Sequence, residues 1–125
     1  SVCGADFIRI NGWPGFLEMP LLEAASGELS GSRARDIFGG YIIFVKDVPG
    51  LVNPRIISMI INEAYYTQAA GTATRGAIDI AMKLGTGYPM SPFEWGEKIG
   101  LHNIYALLTA MGEANPLYDI APGIK

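Results

Sequence analysis

The sequence is poor in the residues that mark several classes of protein. It holds one cysteine, Cys3, one histidine, His102, and only 17% charged residues in a chain of 125. One cysteine cannot form an internal disulfide, and no Cys/His spacing typical of a zinc site occurs. We therefore expect no bound metal, and cysteine usage of this kind favours a cytoplasmic protein.

Several sequence patterns are missing as well. No apolar run reaches the ~18 residues that a membrane-spanning helix needs. The chain starts without the charged and apolar segments of a signal peptide and without an initiator methionine, so we expect a processed or excised piece. A net charge of −3 with no Lys/Arg cluster argues against nucleic-acid binding. We expect neither nucleic acid nor a membrane as a partner.

Apolar residues, in contrast, are abundant. They make up 50% of the chain, which is high for a monomer of this size. Some of this apolar surface is therefore expected to face a partner chain or another domain. The Ile/Met stripe at residues 56–61 is interpreted as core or as the seam of a homodimer formed through the helices.

The first part of the chain has the patterns of short strands. Alternation predicts a strand at 5–10, and the β-branched and aromatic run at 41–45 predicts another. Residues 20–25 fit either a strand or one helical turn, and a brief helix is expected at 34–38. Glycine, proline and small polar residues predict loops at 11–15 and 26–32.

The rest of the chain has helical periodicity. A long helix is predicted from Pro54, with apolar residues at helical spacing, to Gly71. Thr74 is a candidate N-cap for the next helix, and Gly85 is predicted to end it. Two further helices are predicted at 93–99 and 103–111. These patterns predict a mainly α protein, with a helical domain at 49–125 after a small β-containing segment at 1–48.

Four motifs resemble one family, the 3-hydroxyacyl-CoA dehydrogenases. AMKLGTGYPMSPFE at 81–94 resembles a segment typical of the C-terminal domain of these enzymes. KDVPG at 46–50 resembles the link between their two halves, and the NEA run at 62–64 falls where their long helix has an EA pair. Asn115-Pro116-Leu117 resembles a segment near the end of that domain. The resemblance covers residues 46–118 without a gap.

The resemblance implies a fold and an activity. It implies the C-terminal helical domain of the 3-hydroxyacyl-CoA dehydrogenase type (6-phosphogluconate dehydrogenase C-terminal-like), a dimerisation and substrate domain at 49–125. Residues 1–48 would be the remnant of a Rossmann-type NAD-binding domain. The family oxidises L-3-hydroxyacyl-CoA to 3-oxoacyl-CoA with NAD, in fatty-acid or butanoate metabolism. A homodimer, an acyl-CoA substrate and NAD in a full-length parent are therefore expected.

The chain alone is expected to bind no NAD. It contains no GxGxxG, the glycine-rich phosphate loop of dinucleotide-binding folds. Gly85-Thr86-Gly87 follows a predicted helix rather than a strand, so we interpret it as a helix stop.

The resemblance also assigns catalytic positions, with a departure from the family. The family carries a catalytic His and, twelve residues later, a Glu that orients the imidazole. Alignment of the strand at 20–25 places Glu23 at the Glu position and Asn11 at the His position. An amide has no titratable proton near neutral pH and cannot act as a general base. No histidine occurs anywhere in residues 1–48.

A second departure concerns substrate binding. At the start of the long helix the family has an Asn that binds the region of the thioester carbonyl. The gapless match puts Pro54 there, with Asn53 one position earlier. Asn53 would serve as the substrate-binding residue only if the turn before the helix shifts.

Two functional hypotheses follow. The chain is the C-terminal portion of a 3-hydroxyacyl-CoA dehydrogenase-like enzyme, inactive alone, or a non-catalytic relative kept for dimerisation or acyl-CoA binding. Trp13 and Trp95 are candidates for lining an acyl channel, or alternatively for core or interface packing. His102, at the head of a predicted helix, is interpreted as a surface or capping residue.

Overall fold

The structure is a computed structural model that describes residues 7–26 and 31–125. The chain divides into two compact units, Ser1–Pro54 and Arg55–Lys125. Cys3 and the start of the strand predicted at 5–10 lie outside the described residues. The domain boundary predicted after residue 48 stays a prediction.

The first unit contains a three-stranded sheet and one helix. The strands lie in the order β1-β2-β3, with β1 antiparallel to β2 and β2 parallel to β3. Parallel neighbours need a crossover connection, and α1 lies in the segment that joins β2 to β3. The described elements are β1 Ile8–Ile10, β2 Leu21–Ser26, α1 Gly31–Phe38 and β3 Tyr41–Phe44. Ala24, Ala25 and Ala34 are buried in this unit.

These elements settle several expectations. Residues 20–25 form a strand, not a helical turn, because β2 exchanges ladder hydrogen bonds with both neighbours. The loop prediction at 26–32 is wrong at its ends, since Ser26 pairs in the ladder and α1 starts at Gly31. Residues 27–30 of that prediction lie outside the described residues.

A tight turn precedes the long helix. The N–H of Leu51 donates to the carbonyl of Val48 at 3.1 Å. Gly50 and Leu51 both have positive φ, 77° and 51°. Glycine adopts this region readily, whereas a buried leucine in it is uncommon. The turn sets where the helix begins.

The second unit is helical. Its helices are α2 Asn53–Ala69, whose first two residues precede the division, α3 Arg75–Ile80, the π-helical turn Ala81–Gly85, α4 Pro92–Ile99 and α5 Leu101–Ala114. Its core is built around Phe93, Ile61, Ile104, Leu108 and Met111. The mainly helical character predicted for this part of the chain is confirmed.

Helix ends follow local chemistry. The hydroxyl of Thr74 accepts the N–H of Ala77 at 3.3 Å, which confirms the predicted N-cap. The prediction that Gly85 ends the next helix is wrong. The chain continues through the π-helical turn to Thr86, whose N–H and hydroxyl both donate to the carbonyl of Met82. The positive φ of 71° falls on Gly87 instead.

The C-terminal tail is held by one buried amide. Asn62 is 3% exposed on α2. Its Nδ2 donates to the carbonyl of Asp119 at 2.8 Å, and its Oδ1 accepts the N–H of Ala121 at 2.9 Å. Both ends of the side chain are therefore satisfied by tail backbone.

Candidate functional site

Asn11 and Glu23 lie at the same end of the antiparallel β1–β2 ladder. β1 and β2 pair Ile8 with Ser26 and Ile10 with Ala24. Extending this register by one residue puts Asn11 opposite Glu23. Directly opposed residues project to the same face, with Cβ atoms about 4.5–5.5 Å apart. β1 ends at Ile10, so this pair lies one position beyond the observed ladder, and the register places the two residues that the resemblance assigned to the catalytic pair at the same end of it.

The Glu23 carboxylate is buried and engaged. The residue is 7% exposed. Its Oε2 accepts the N–H of Val52 at 3.0 Å, and its two oxygens accept the N–H of Asn53 at 2.8 and 3.1 Å. These are N–H groups at the start of α2, which have no partner within the helix. Glu23 therefore caps α2 from a different segment of the chain, and its negative charge complements the positive end of the helix dipole.

The Asn11 side chain has one satisfied and one unsatisfied end. Asn11 is 9% exposed. Its Oδ1 accepts the N–H of Trp13 at 3.1 Å, forming a local turn. Its Nδ2 is buried and has no hydrogen-bond partner among the described residues. The amide thus offers a donor and no base at the position facing Glu23.

The two candidate substrate-binding residues lie at the first turn of α2. Pro54 is buried there, where proline suits a first-turn position and has no side-chain group that could bind a carbonyl. Asn53 is half-buried, and its backbone N–H is held by Glu23. The role of neither residue in substrate binding is settled by this geometry, so both assignments stay predictions.

The aromatic and histidine candidates have local packing partners. Trp13 lies edge-on to Phe16, with ring centroids 6.4 Å apart, and Trp95 lies against Tyr88 at 5.4 Å. His102 is exposed in the second unit, at the start of α5, and its ring lies close to Gly100.

Two features are missing, a glycine-rich phosphate loop from the sequence and a metal-binding cluster from the residues that the structure describes. The sequence holds no glycine-rich phosphate loop, the feature with which dinucleotide-binding folds hold the pyrophosphate. Within residues 7–26 and 31–125, no group of three or more His, Cys, Asp or Glu side chains is placed to hold a metal ion. No helix in the same part of the chain has the length and apolar character needed to cross a membrane.

The second unit contains a large apolar groove. Its volume is about 750 Å³, and its lining is mostly apolar. α2 contributes Ile56, Met59 and Ile60 to this lining, and the segment from α3 into the π-helical turn contributes Ala77, Ile78 and Met82. Ile56 is 54% exposed. We call this feature the α2–α3 groove.

The lining of the groove also includes polar groups, Arg55 and Tyr118. The Arg55 guanidinium lies over the Tyr118 ring, 5.7 Å from its centroid, and donates to the Tyr118 hydroxyl at 3.4 Å. Tyr118 follows the Asn115-Pro116-Leu117 motif, so only the fold brings it to Arg55. Asn62 belongs to the NEA motif, and a polar residue within an isoleucine-rich helix is itself a signal of a buried hydrogen-bonding role.

A helical unit of this kind, preceded by a short sheet, is the type of domain found at the C-terminus of the 3-hydroxyacyl-CoA dehydrogenases. The family model described as "3-hydroxyacyl-CoA dehydrogenase, C-terminal domain" matches residues 50–122. The chain therefore belongs to the 3-hydroxyacyl-CoA dehydrogenase family, and the predicted family and fold class are confirmed.

Individual proteins agree with this assignment. Rat mitochondrial hydroxyacyl-coenzyme A dehydrogenase is 36% identical over 90 residues, which are 70% of this chain and 29% of that protein. The 3-hydroxyadipyl-CoA dehydrogenase of Escherichia coli is 40% identical over 70 residues, covering 56% of this chain and 15% of that protein. The crystal structure of (S)-3-hydroxybutyryl-CoA dehydrogenase from Ralstonia eutropha superposes with a TM-score of 0.83 at 29% identity, over 94% of this chain and 45% of that one. The chain thus spans less than half the length of these relatives.

Proposed function

We propose that this chain is the C-terminal portion of a 3-hydroxyacyl-CoA dehydrogenase-like oxidoreductase and that it is inactive alone. The parent would convert L-3-hydroxyacyl-CoA and NAD to 3-oxoacyl-CoA and NADH in fatty-acid or butanoate metabolism. Family membership supports the reaction class. The single observation that carries the inactivity is Asn11, an amide at the position facing Glu23.

The chemistry of that position explains the proposed inactivity. Oxidation of a secondary alcohol needs a base that takes the hydroxyl proton and an acceptor for the hydride. Asn11 cannot take a proton, and the Glu23 carboxylate is already engaged with the backbone of Val52 and Asn53. The chain also has no loop for the nicotinamide cofactor, which we place on another part of the parent.

A second candidate function is a non-catalytic relative. In it, the helical domain serves dimerisation or acyl-CoA binding, and the chemistry has been lost. The same residue favours this alternative, because no histidine within residues 1–48 can replace the missing base.

One assay separates the two candidates. NADH formation by the full-length parent with 3-hydroxybutyryl-CoA is measured beside Asn11→His, with Asn115→His as the matched control. The Asn115 side chain accepts the backbone N–H of Leu117, two residues later, at 3.0 Å. Asn115→His therefore makes the same substitution in the same kind of turn as Asn11→His, but in a part of the chain far from Glu23 in sequence. Turnover by the unmodified parent supports the enzyme and shows that another group supplies the base. Turnover only in Asn11→His supports the non-catalytic relative. Turnover by the isolated chain would refute its proposed inactivity.

We further propose that the chain forms a homodimer through its helical unit, in the cytoplasm. The α2–α3 groove supports the dimer, since its lining is mostly apolar and Ile56 within it is exposed, and a second copy would bury these side chains. The single cysteine in the sequence supports a reducing compartment.

A further inference from the structure

The segment from α3 into the π-helical turn presents two large apolar side chains to solvent. Ile80 is 62% exposed and Leu84 is 82% exposed. The two residues lie four positions apart, and side chains at this spacing are neighbours on the surface of a helix. They therefore form one apolar projection, which we call the Ile80–Leu84 ridge.

The ridge borders the α2–α3 groove. Ala77 lies three residues before Ile80, and Ala81 lies three residues before Leu84, so each alanine is a surface neighbour of a ridge residue. Both alanines are exposed and line the groove. Ile56, on α2, belongs to the same lining and is 54% exposed. The ridge and the groove are therefore two parts of one continuous apolar surface.

The ion pairs of this segment are directed to α4. Arg75 pairs with Glu97, and Lys83 pairs with Glu94. Neither Arg75 nor Lys83 belongs to the lining of the groove. An apolar partner can thus cover the ridge and the groove without burying these charges, which would carry a large desolvation cost.

We infer that a second copy of this chain docks on this surface, with the Ile80–Leu84 ridge of each copy seated in the α2–α3 groove of the other. Leu84 of one copy packs against Ile56 of the other, and the reciprocal contact forms at the same time. This inference rests on the proposed function, because it specifies the surface through which the proposed homodimer forms.

A second copy fits because the surface is complementary to itself. A two-fold interface uses the same patch on both partners, so one chain must supply both the projecting and the receiving part. The ridge and the groove are two such parts, side by side on one unit. Fifteen residues line the groove. Together with the ridge they approach the roughly 20–30 residues that a stable interface takes from each partner.

Sedimentation velocity of single variants tests the surface. Leu84→Lys places a charge on the ridge, and Ile56→Glu places one in the groove. Each variant alone should be a monomer at high micromolar concentration, where the unmodified chain should be a dimer, because burying an unpaired charge is unfavourable. Leu117→Glu is the control and should remain a dimer, since Leu117 is 82% exposed and lies outside the groove lining.

Mixtures of variants test whether Leu84 and Ile56 face each other. In a mixed dimer of Leu84→Lys with Ile56→Glu, one contact keeps both native residues and the other joins two introduced charges of opposite sign. The mixture of Leu84→Glu with Ile56→Glu is the matched control, because its two introduced charges are both negative. We expect the first mixture to associate at least about tenfold more tightly than the control. Native mass spectrometry identifies the mixed dimer by its mass.

The outcomes separate the inference from the proposed dimer. If the unmodified chain is a monomer, the dimer and the inference are both wrong. If it dimerises and Leu84→Lys dimerises equally well, the dimer uses another surface and the inference alone is wrong. Equal association of the two mixtures would also overturn the inference, because Leu84 and Ile56 would then not meet. Circular dichroism identifies any variant that does not fold, and the mixture of Leu84→Glu with Ile56→Lys then gives the same test with the charges exchanged.

Discussion

Both oxygens of Glu23 accept the backbone N–H of Asn53, at 2.8 and 3.1 Å. A residue from the middle strand of the sheet thus caps a helix whose first residue lies thirty positions later. Glu23, which the family resemblance assigns to catalysis, therefore also has a structural role in this chain as the cap of α2.

Glu23→Gln should lower the free energy of unfolding by about 1–2 kcal/mol, the usual cost of weakening a helix cap and removing a charge that complements the dipole. Urea denaturation monitored by circular dichroism measures it. Glu18→Gln, at an exposed loop position, is the control and should change stability by less than about 0.5 kcal/mol. Equal effects of the two substitutions would show that the cap contributes nothing.

Asn62→Leu should destabilise the second unit by about 2–4 kcal/mol, because the carbonyl of Asp119 and the N–H of Ala121 lose their buried partner. Amide hydrogen exchange should show faster exchange at Ala121 than in the unmodified chain. Gln68→Leu, exposed on the same helix, is the control. If the Ala121 amide were equally protected from exchange in Asn62→Leu, the hydrogen bonds of Asn62 would not be what holds the C-terminal tail.

α4 begins with a capping box, in which the Ser91 hydroxyl accepts the N–H of Glu94 and the Glu94 carboxylate accepts the N–H of Ser91. This capping box predicts a dependence of stability on pH. The hydrogen bond from Lys83, with the backbone hydrogen bond from Ser91, lowers the pKa of Glu94 below its ordinary value near 4.5. A folded-state pKa below the unfolded one adds stability that is fully present above the unfolded pKa and is lost as pH falls through the folded pKa.

The stability difference between the unmodified chain and Glu94→Gln should therefore be constant above about pH 5 and shrink as the pH falls below the ordinary value of the glutamate pKa. Urea midpoints at a series of pH values measure it, with Glu113→Gln on exposed α5 surface as the control. A difference that does not change with pH would mean that the charge of Glu94 has no part in the cap.

The proposed dimer predicts a selective effect of charge in the α2–α3 groove. Ile56→Glu places a carboxylate in the groove. Burying that charge against a second copy of the chain costs free energy, so the variant should be a monomer. Leu117→Glu changes an apolar residue that is 82% exposed and lies outside the groove lining, so it should leave association unchanged. Sedimentation velocity at high micromolar concentration measures both. A monomeric unmodified chain under these conditions would rule out the dimer.

Local chemistry allowed much of the helical unit to be predicted. The spacing of Ile56, Ile60 and Ile61 indicated the long helix, and Thr74 was recognisable as a cap because a hydroxyl can accept the N–H three residues on. The error at Gly85 shows the limit of such signals. Gly85 and Gly87 are two positions apart in the sequence. Only the hydrogen bonds from Thr86 to the carbonyl of Met82 decide which of the two glycines takes the positive φ.

The sequence by itself determined the family, the helical periodicity and the absence of a histidine near Glu23, because each is a property of residue identity or short spacing. Only the tertiary structure decided that Asn11 stands opposite Glu23, that Glu23 caps α2, and that Asn62 holds the tail. Strand register and hydrogen bonds between distant segments depend on how the whole chain packs, and no local pattern encodes them. The buried Nδ2 donor of Asn11, which has no partner among the described residues, belongs to this second kind of information.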